Sequence, residues 1–489
     1  MPTPDPTFRD AELPASPRAG PSRPGLDRAV TVALLTVMGS ELLYLATGLG
    51  LANWAADIAV IAVACLTFPR FGLREVYLLT FCATLVGLAL WLAEDPSAVL
   101  RSAFDQAAFL MAFILLIGVI QQAAATSQAI RDCGLYLTKQ PSGRRYFSIF
   151  LGTHFMAQLF NLGTVSLLTP LIRGGSEANA GDALQPIRER RQLTAMLRGF
   201  AWAVVWSPTA VAPVVLATLL PDAERLPWIA VAFAIAMGIV LIGWAEDRWT
   251  WAAVRRRLAA NAPAAAPPFP QAAYAQFAGV ALSLLGLTLS AMAIFGGSVV
   301  FGLMMASPII MLGWLGLQAD GSPATRARAA AGRAAAILRA YLPGAAPLAV
   351  TLACSGFIGR AAAGIIPSAE WAEFIGLGLM PGWLFLLALS VSVAVLSQFA
   401  LSPIMMAVFI GSLIAELPMI PADVTWAALA ISCGWALSMT TSPFATVVLM
   451  IEQSTGHRGR AMTWFWNWRF SLLATLFLAA VYWVLTGGA

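Results

Sequence analysis

The chain has 489 residues, of which 59% are hydrophobic and only 11% charged, with a formal net charge of +5. A chain this apolar is a polytopic membrane protein and not a soluble one. Its basic balance comes almost entirely from arginines in loops, Lys139 being the only lysine, which excludes nucleic acid as the natural partner. Cys65, Cys82, Cys133, Cys354 and Cys433 are scattered, with no CxxC and no neighbouring histidine, so they read as small buried hydrophobes with no metal.

Residues 1–28 are rich in Pro, Ala and Arg and read as a disordered cytoplasmic tail. Ala29–Leu49 and Trp54–Phe68 are the first expected spans, and Arg70 and Arg74 mark a cytoplasmic loop, which puts the N-terminus inside. Tyr77–Leu92 then runs outward to the acidic Glu94 and Asp95, and Ala107–Gln122 returns. The apolar stretch Thr153–Ile172 carries a polar tip of Asn161, Gly163 and Thr164. Arg131, Lys139, Arg144 and Arg145 precede it, and Arg173, Arg188, Arg190, Arg191 and Arg198 follow. Both flanks therefore belong inside, and a re-entrant hairpin over 146–172 satisfies them where a full crossing would not.

Gly199–Leu220 is expected as a helix broken at Ser207, Pro208 and Thr209 and again at Pro213, because proline removes a backbone donor. Trp228–Trp244 leads back to Arg255, Arg256 and Arg257, and 259–270 is a Pro/Ala linker that divides a first repeat, 29–258, from a second, 271–489. Three segments recur across the linker in the same order and at nearly constant offset. The run beginning at Gly118 matches that at Gly356, the tip near Asn161 matches Ser397–Pro403, and Trp202 to Pro208 matches Trp435 to Pro443. Arg326, Arg328, Arg333 and Arg339 make the following span run outward, opposite to its counterpart, so the copies are inverted. The second hairpin, 382–413, then enters from outside between Glu370, Glu373, Glu416 and Asp423, with Ser397, Gln398 and Ser402 at its tip. A helix over 427–450, broken at Thr440, Thr441, Ser442 and Pro443, returns inward, and Phe470–Leu485 exits, leaving the C-terminus periplasmic. The expectation is an all-α polytopic membrane protein of about eleven transmembrane helices plus two opposed hairpins.

Inverted repeats with interrupted helices are how secondary transporters build a midplane site, here where four breaks are expected to converge. Exposed amides at half-helix N-termini suit an anion, and carbonyls near Asn161, Ser207, Ser402 and Thr440 suit sodium. No break carries a carboxylate, which favours an anion substrate, driven by sodium or protons. A cation/proton antiporter on the same scaffold is the alternative and would call on Glu41 or Asp57. A membrane-embedded transferase is disfavoured because no loop is long enough to hold a catalytic domain.

These residues resemble the ion transporter superfamily, most closely the divalent anion:sodium symporters, among them dicarboxylate carriers, over roughly residues 107–450. Asn161 and Thr164 in FNLGTVSLLTP look like the amide and hydroxyl of that family's first tip, and Ala427–Leu449 looks like its final broken helix, with Thr441 and Pro443 at the break. The second tip, SQFALSP, lacks the family's asparagine, and WSPT stands where the family is glycine-rich. The resemblance implies a scaffold, a mobile transport domain holding both hairpins, and a homodimer working by an elevator motion.

Several other residues carry expectations of their own. His154 is read as a hydrogen-bonding helix residue before a proton relay, and Arg360 either attracts anions to an outer vestibule or snorkels. Glu246 and Asp247 are read as structural, Trp464–Trp468 as an interfacial belt, and 324–339 as a basic amphipathic helix on the cytoplasmic surface. Arg- and Ala-rich usage points to a bacterial inner membrane.

Overall fold

The computed structural model describes residues 24–177, 182, 184–207, 209–254, 267–296, 298–374 and 376–488. Most of the expected tail, Pro208, the arginines at 255–257 and linker residues 259–266 lie outside these. Residues 24–28 belong to the first helix and not to the tail, since proline is well suited to a helix's first turn.

The described residues form helices joined by short turns, with no strand among them. In chain order they are α1 (Pro24–Thr47), α2 (Gly50–Thr67), α3 (Leu73–Leu92), α4 (Pro96–Ala125), α5 (Gln128–Thr138), α6 (Ser142–Phe160), α7 (Leu162–Glu177), α8 (Gln185–Ala203), α9 (Val211–Leu219) and α10 (Arg225–Thr250). Beyond the linker come α11 (Gln271–Phe295), α12 (Val299–Leu317), α13 (Pro323–Ile365), α14 (Gly382–Leu396), α15 (Pro403–Glu416), α16 (Val424–Thr441), α17 (Thr446–Thr455) and α18 (Trp468–Leu485). Among the described residues, 11 helices are long and apolar enough to cross a membrane. The number agrees with expectation but the set does not: α14 qualifies, and the pair α8 and α9 does not. The first half of α8 holds Arg188, Arg190 and Arg191, so the basic segment expected as loop is helix.

Two groups of helices result. α1–α4 pack with α11–α13, and α6–α10 pack with α14–α18, the groups meeting chiefly where α15 lies along α13. Within the second group the two halves use the same device. α8 rests on α6 through Gly199, where a Cβ would lie 2.3 Å from the Phe150 carbonyl, and α16 rests on α14 through Gly434, where a Cβ would lie 2.6 Å from the Ser390 carbonyl. Glycine allows the backbones to approach where lipid gives no hydrophobic drive for association.

The segment 324–339 is not a separate surface helix. It is the first part of α13, which runs unbroken for 43 residues through Pro343 and Pro347. At about 1.5 Å per residue that is a rod of about 65 Å, twice a bilayer core. Arg333 ties it to the ends of α4 and α12 by donating to Thr126 Oγ1 (3.3 Å) and Gln318 Oε1 (3.0 Å).

Near the basic ends of the second group, Arg198 is buried and fully engaged. It donates to Glu246 (2.8 Å), Tyr146 OH (2.7 Å) and Asn467 Oδ1 (2.7 Å) and lies 4.1 Å over the Phe470 ring. Arg191 forks onto Asp247 with bonds of 2.8 and 2.7 Å. Glu246 and Asp247 thus tie α10 to α8. Asn467, expected in the aromatic belt, is buried in this network instead.

Candidate functional site

The first interruption is the tip between α6 and α7. Asn161 takes φ 43° and ψ −126°, a conformation that L-residues rarely adopt. Its amide donates to the Ala157 carbonyl (3.0 Å) and its carbonyl accepts from the Thr164 amide (3.1 Å), closing the turn. Gly163 approaches Gln121 near the end of α4, Phe160 packs on Trp314 near the end of α12, and Thr164 is buried with its hydroxyl unpartnered.

The break between α8 and α9 is tied to that hairpin. Thr209 Oγ1 donates to the Gln158 carbonyl, Ser207 Oγ lies 3.1 Å from Thr209 Oγ1, and Gln158 Nε2 reaches back to the Ala203 carbonyl (3.4 Å). The hydroxyls of Ser207 and Thr209 therefore hold the break together. His154 is fully buried, its Nε2 accepting from Trp206 Nε1 at 2.9 Å.

The second half repeats the tie. Ser442 Oγ, in the break between α16 and α17, donates to the Ser397 carbonyl at 2.7 Å. Gln398 bridges Thr441 Oγ1 (3.5 Å) and Trp464 Nε1 (3.1 Å), so Trp464 braces the tip besides flanking the last span. The tip's turn is completed by Ala400 at φ 62°. Thr440 departs from expectation: its hydroxyl points away from the tip, to the Leu437 carbonyl (3.0 Å) and Ser471 (3.2 Å). Adjacent helix positions face about 100° apart, so Thr440 and Thr441 cannot both look into one site.

Between this tip and this break lies a small cavity open to one side. Ser397, Ser402, Ser442 and Phe444 line it, together with Arg74 from the start of α3. Pro403 begins α15 and Thr446 begins α17, and neither helix start has a side-chain cap. Two sets of unsatisfied helix N-terminal amides and one guanidinium thus face three serines, an arrangement that attracts an anion. Pro443 is buried just behind Ser442.

Sequence reasoning missed Arg74, reading it only as a marker of helix orientation. Arg70, its companion in that role, is bonded to Asp27 (2.5 Å), and Arg74, one residue inside an apolar helix, lines the cavity beside the tip. The second arm of each hairpin packs against the other half's broken helix, α7 on α17 and α15 on α9. Each tip docks on the break of its own half, and among the described residues no hydrogen bond joins the two tips. The carbonyls near which sodium was expected are in local use, Asn161, Ser207 and Ser402 each accepting a backbone amide. Among the described residues no three His, Cys, Asp or Glu side chains come together to hold a metal ion. Arg360 donates to Ser102 Oγ at 2.6 Å.

No protein-family model and no curated protein matches the chain. Among the solved structures that are similar, the YdaH transporter of Alcanivorax borkumensis, described as having an unusual topology, aligns with 85% of this chain and 98% of its own, at 15% identity and a TM-score of 0.48. Similarity at that level does not define a family. The protein is a multi-pass membrane protein of interrupted helices.

Proposed function

We propose that the protein is a secondary active transporter of a small anion, an organic di- or tricarboxylate or an inorganic or sulfonate anion, coupled to sodium or protons. The observation that carries this reading is the cavity in which Arg74 and the uncapped starts of α15 and α17 face Ser397, Ser402 and Ser442. Such a site offers donors and positive potential and no carboxylate, which suits an anion and repels a cation.

On this reading α6–α10 and α14–α18 form the mobile domain, and α1–α4 with α11–α13 form a scaffold through which a homodimer assembles in a bacterial inner membrane. The N-terminus is cytoplasmic and the C-terminus periplasmic. With the arginine-bearing ends inside, the arrangement is the inward-facing one, because the first tip lies near the ends of α4 and α12 and the second is reached from the start of α3. The motion is then an elevator step that carries both tips outward.

The test is uptake into proteoliposomes of labelled dicarboxylates, citrate, sulfate and small sulfonates under a sodium or proton gradient. Arg74→Gln should raise KM by about tenfold or more, the loss of one charge-assisted contact, with kcat less affected. Unchanged KM in Arg74→Gln and Ser442→Ala would remove the cavity from the site. Sodium-driven movement of protons with no anion uptake would favour the cation/proton antiporter, for which the buried Glu41 speaks.

A further inference from the structure

A second polar cluster lies in the other group of helices, away from both tips. Glu41 of α1 is 3% exposed and Asn53 of α2 is 2% exposed, while Asp57 of α2 and Asp105 of α4 are half-buried. Asn53 Nδ2 donates to Asp105 Oδ1 at 2.7 Å, which fixes the amide with its oxygen turned away from Asp105. Asp105 and Asp57 both lie within electrostatic reach of Glu41.

Beyond that one bond, three acceptors of the cluster have no donor. Glu41 Oε2, Asn53 Oδ1 and Asp57 Oδ1 are each buried from solvent and each lack a hydrogen-bond partner. A buried acceptor left unmet is unfavourable, and a buried charge left unmet is more so. The groups that could relieve this are few. The charged groups acting on Glu41 are Asp105 and Asp57, both of the same sign, and α12 and α13, which also pack on α1, contribute none. Arg101 of α4 acts on Asp57 from an exposed position at the mouth of the cluster. Gln106, whose amide nitrogen is also unpartnered, turns to Gly356 of α13. Glu41 is therefore buried with two carboxyl groups in reach and no cation of its own, the one arginine lying exposed at the mouth.

A shared metal ion is not the remedy, because these carboxyl groups do not converge as a ligand set. A proton needs only one acceptor, and it turns a carboxylate into a donor for a neighbouring unmet oxygen. We propose that Glu41, with Asn53, Asp57 and Asp105, forms a proton-binding site reached from the side of the α1–α2 turn and the acidic Glu94–Asp95 loop. The approach is from that side because the cluster occupies the halves of α1, α2 and α4 nearest the Thr47–Gly50 turn, and Asp57 and Asp105 are its half-exposed members. The site is distinct from the anion cavity and its proton is its own ligand, whatever the cavity carries.

The purified full-length protein is titrated with infrared difference spectroscopy, as wild type, Glu41→Gln, Asp57→Asn and Ser442→Ala. The expected result is a protonated-carboxyl band that titrates in the wild type and in Ser442→Ala, is absent in Glu41→Gln, and persists with a moved midpoint in Asp57→Asn. The same titrating band in Glu41→Gln, or an unmoved midpoint in Asp57→Asn, overturns the assignment. Adding sodium at fixed pH should leave the band unchanged, and its loss on sodium addition would make the ligand sodium and overturn the proposal as well. A wild type that keeps the band yet moves no anion would sink the anion reading and leave this site standing.

Discussion

Ser442 Oγ donates to the Ser397 carbonyl at 2.7 Å, as Thr209 Oγ1 donates to the Gln158 carbonyl in the other half. In each case a hydroxyl from a broken helix fastens the hairpin arm that ends beside it. Ser442→Ala should destabilise the protein by about 1 kcal/mol through the lost hydrogen bond and should lower uptake by about tenfold, since the tip is then free to shift. Thermal unfolding and uptake, measured on the same preparations, separate the two effects. Uptake that falls only as far as folded protein falls would make the bond merely structural.

Asn161 gives a sharper test because its backbone conformation is one that glycine adopts freely. Asn161→Gly should hold or raise thermal stability, by up to about 1 kcal/mol, and abolish most uptake if the amide side chain meets substrate. Asn161→Ala should lose both. Full transport in the glycine variant would reduce Asn161 to a turn residue.

The glycine contacts predict packing defects in parallel. Gly199→Ala and Gly434→Ala each push a Cβ into a backbone carbonyl, and each should cost about 1–3 kcal/mol. Monodispersity and melting temperature in detergent report this directly. Gly39→Ala, where no atom lies within 4 Å of the added carbon, is the control and should be silent.

Arg198→Met leaves Glu246 buried without its cation and should cost about 3–5 kcal/mol. Replacing both, Arg198→Met with Glu246→Leu, should recover much of that loss. A double variant as unstable as the single one would shift the weight to the Tyr146 and Asn467 bonds.

His154 receives a hydrogen bond at Nε2 from Trp206, so its imidazole is neutral with the remaining proton on Nδ1. His154→Gln should therefore leave the pH profile of uptake unshifted, whatever it does to the maximal rate. A displaced profile would restore the proton-relay reading.

The interruptions were legible because each places Gly, Pro, Ser or Asn inside an otherwise apolar run. Arg74 was not legible as a site residue, since an arginine at a helix start has the same appearance whether it only orients the helix or also lines a cavity beside a tip more than 300 positions away. Pro343 and Pro347 suggest a break that α13 does not make. The acceptor cluster was visible only in part. Glu41 and Asp57 stand out in apolar spans, whereas Asn53 and Asp105 become members only when α2 and α4 pack together.

Because α13 is one continuous helix, its arginine-bearing start and its packed far end belong to a single element. A rigid helical protein inserted in the Gln318–Ser322 turn and fused in phase with Pro323 would extend α13 as an external landmark, visible by electron microscopy outside the detergent belt. Against that landmark the height of the hairpins could be read in single particles, with no need for a symmetric assembly or a bound antibody to align the images.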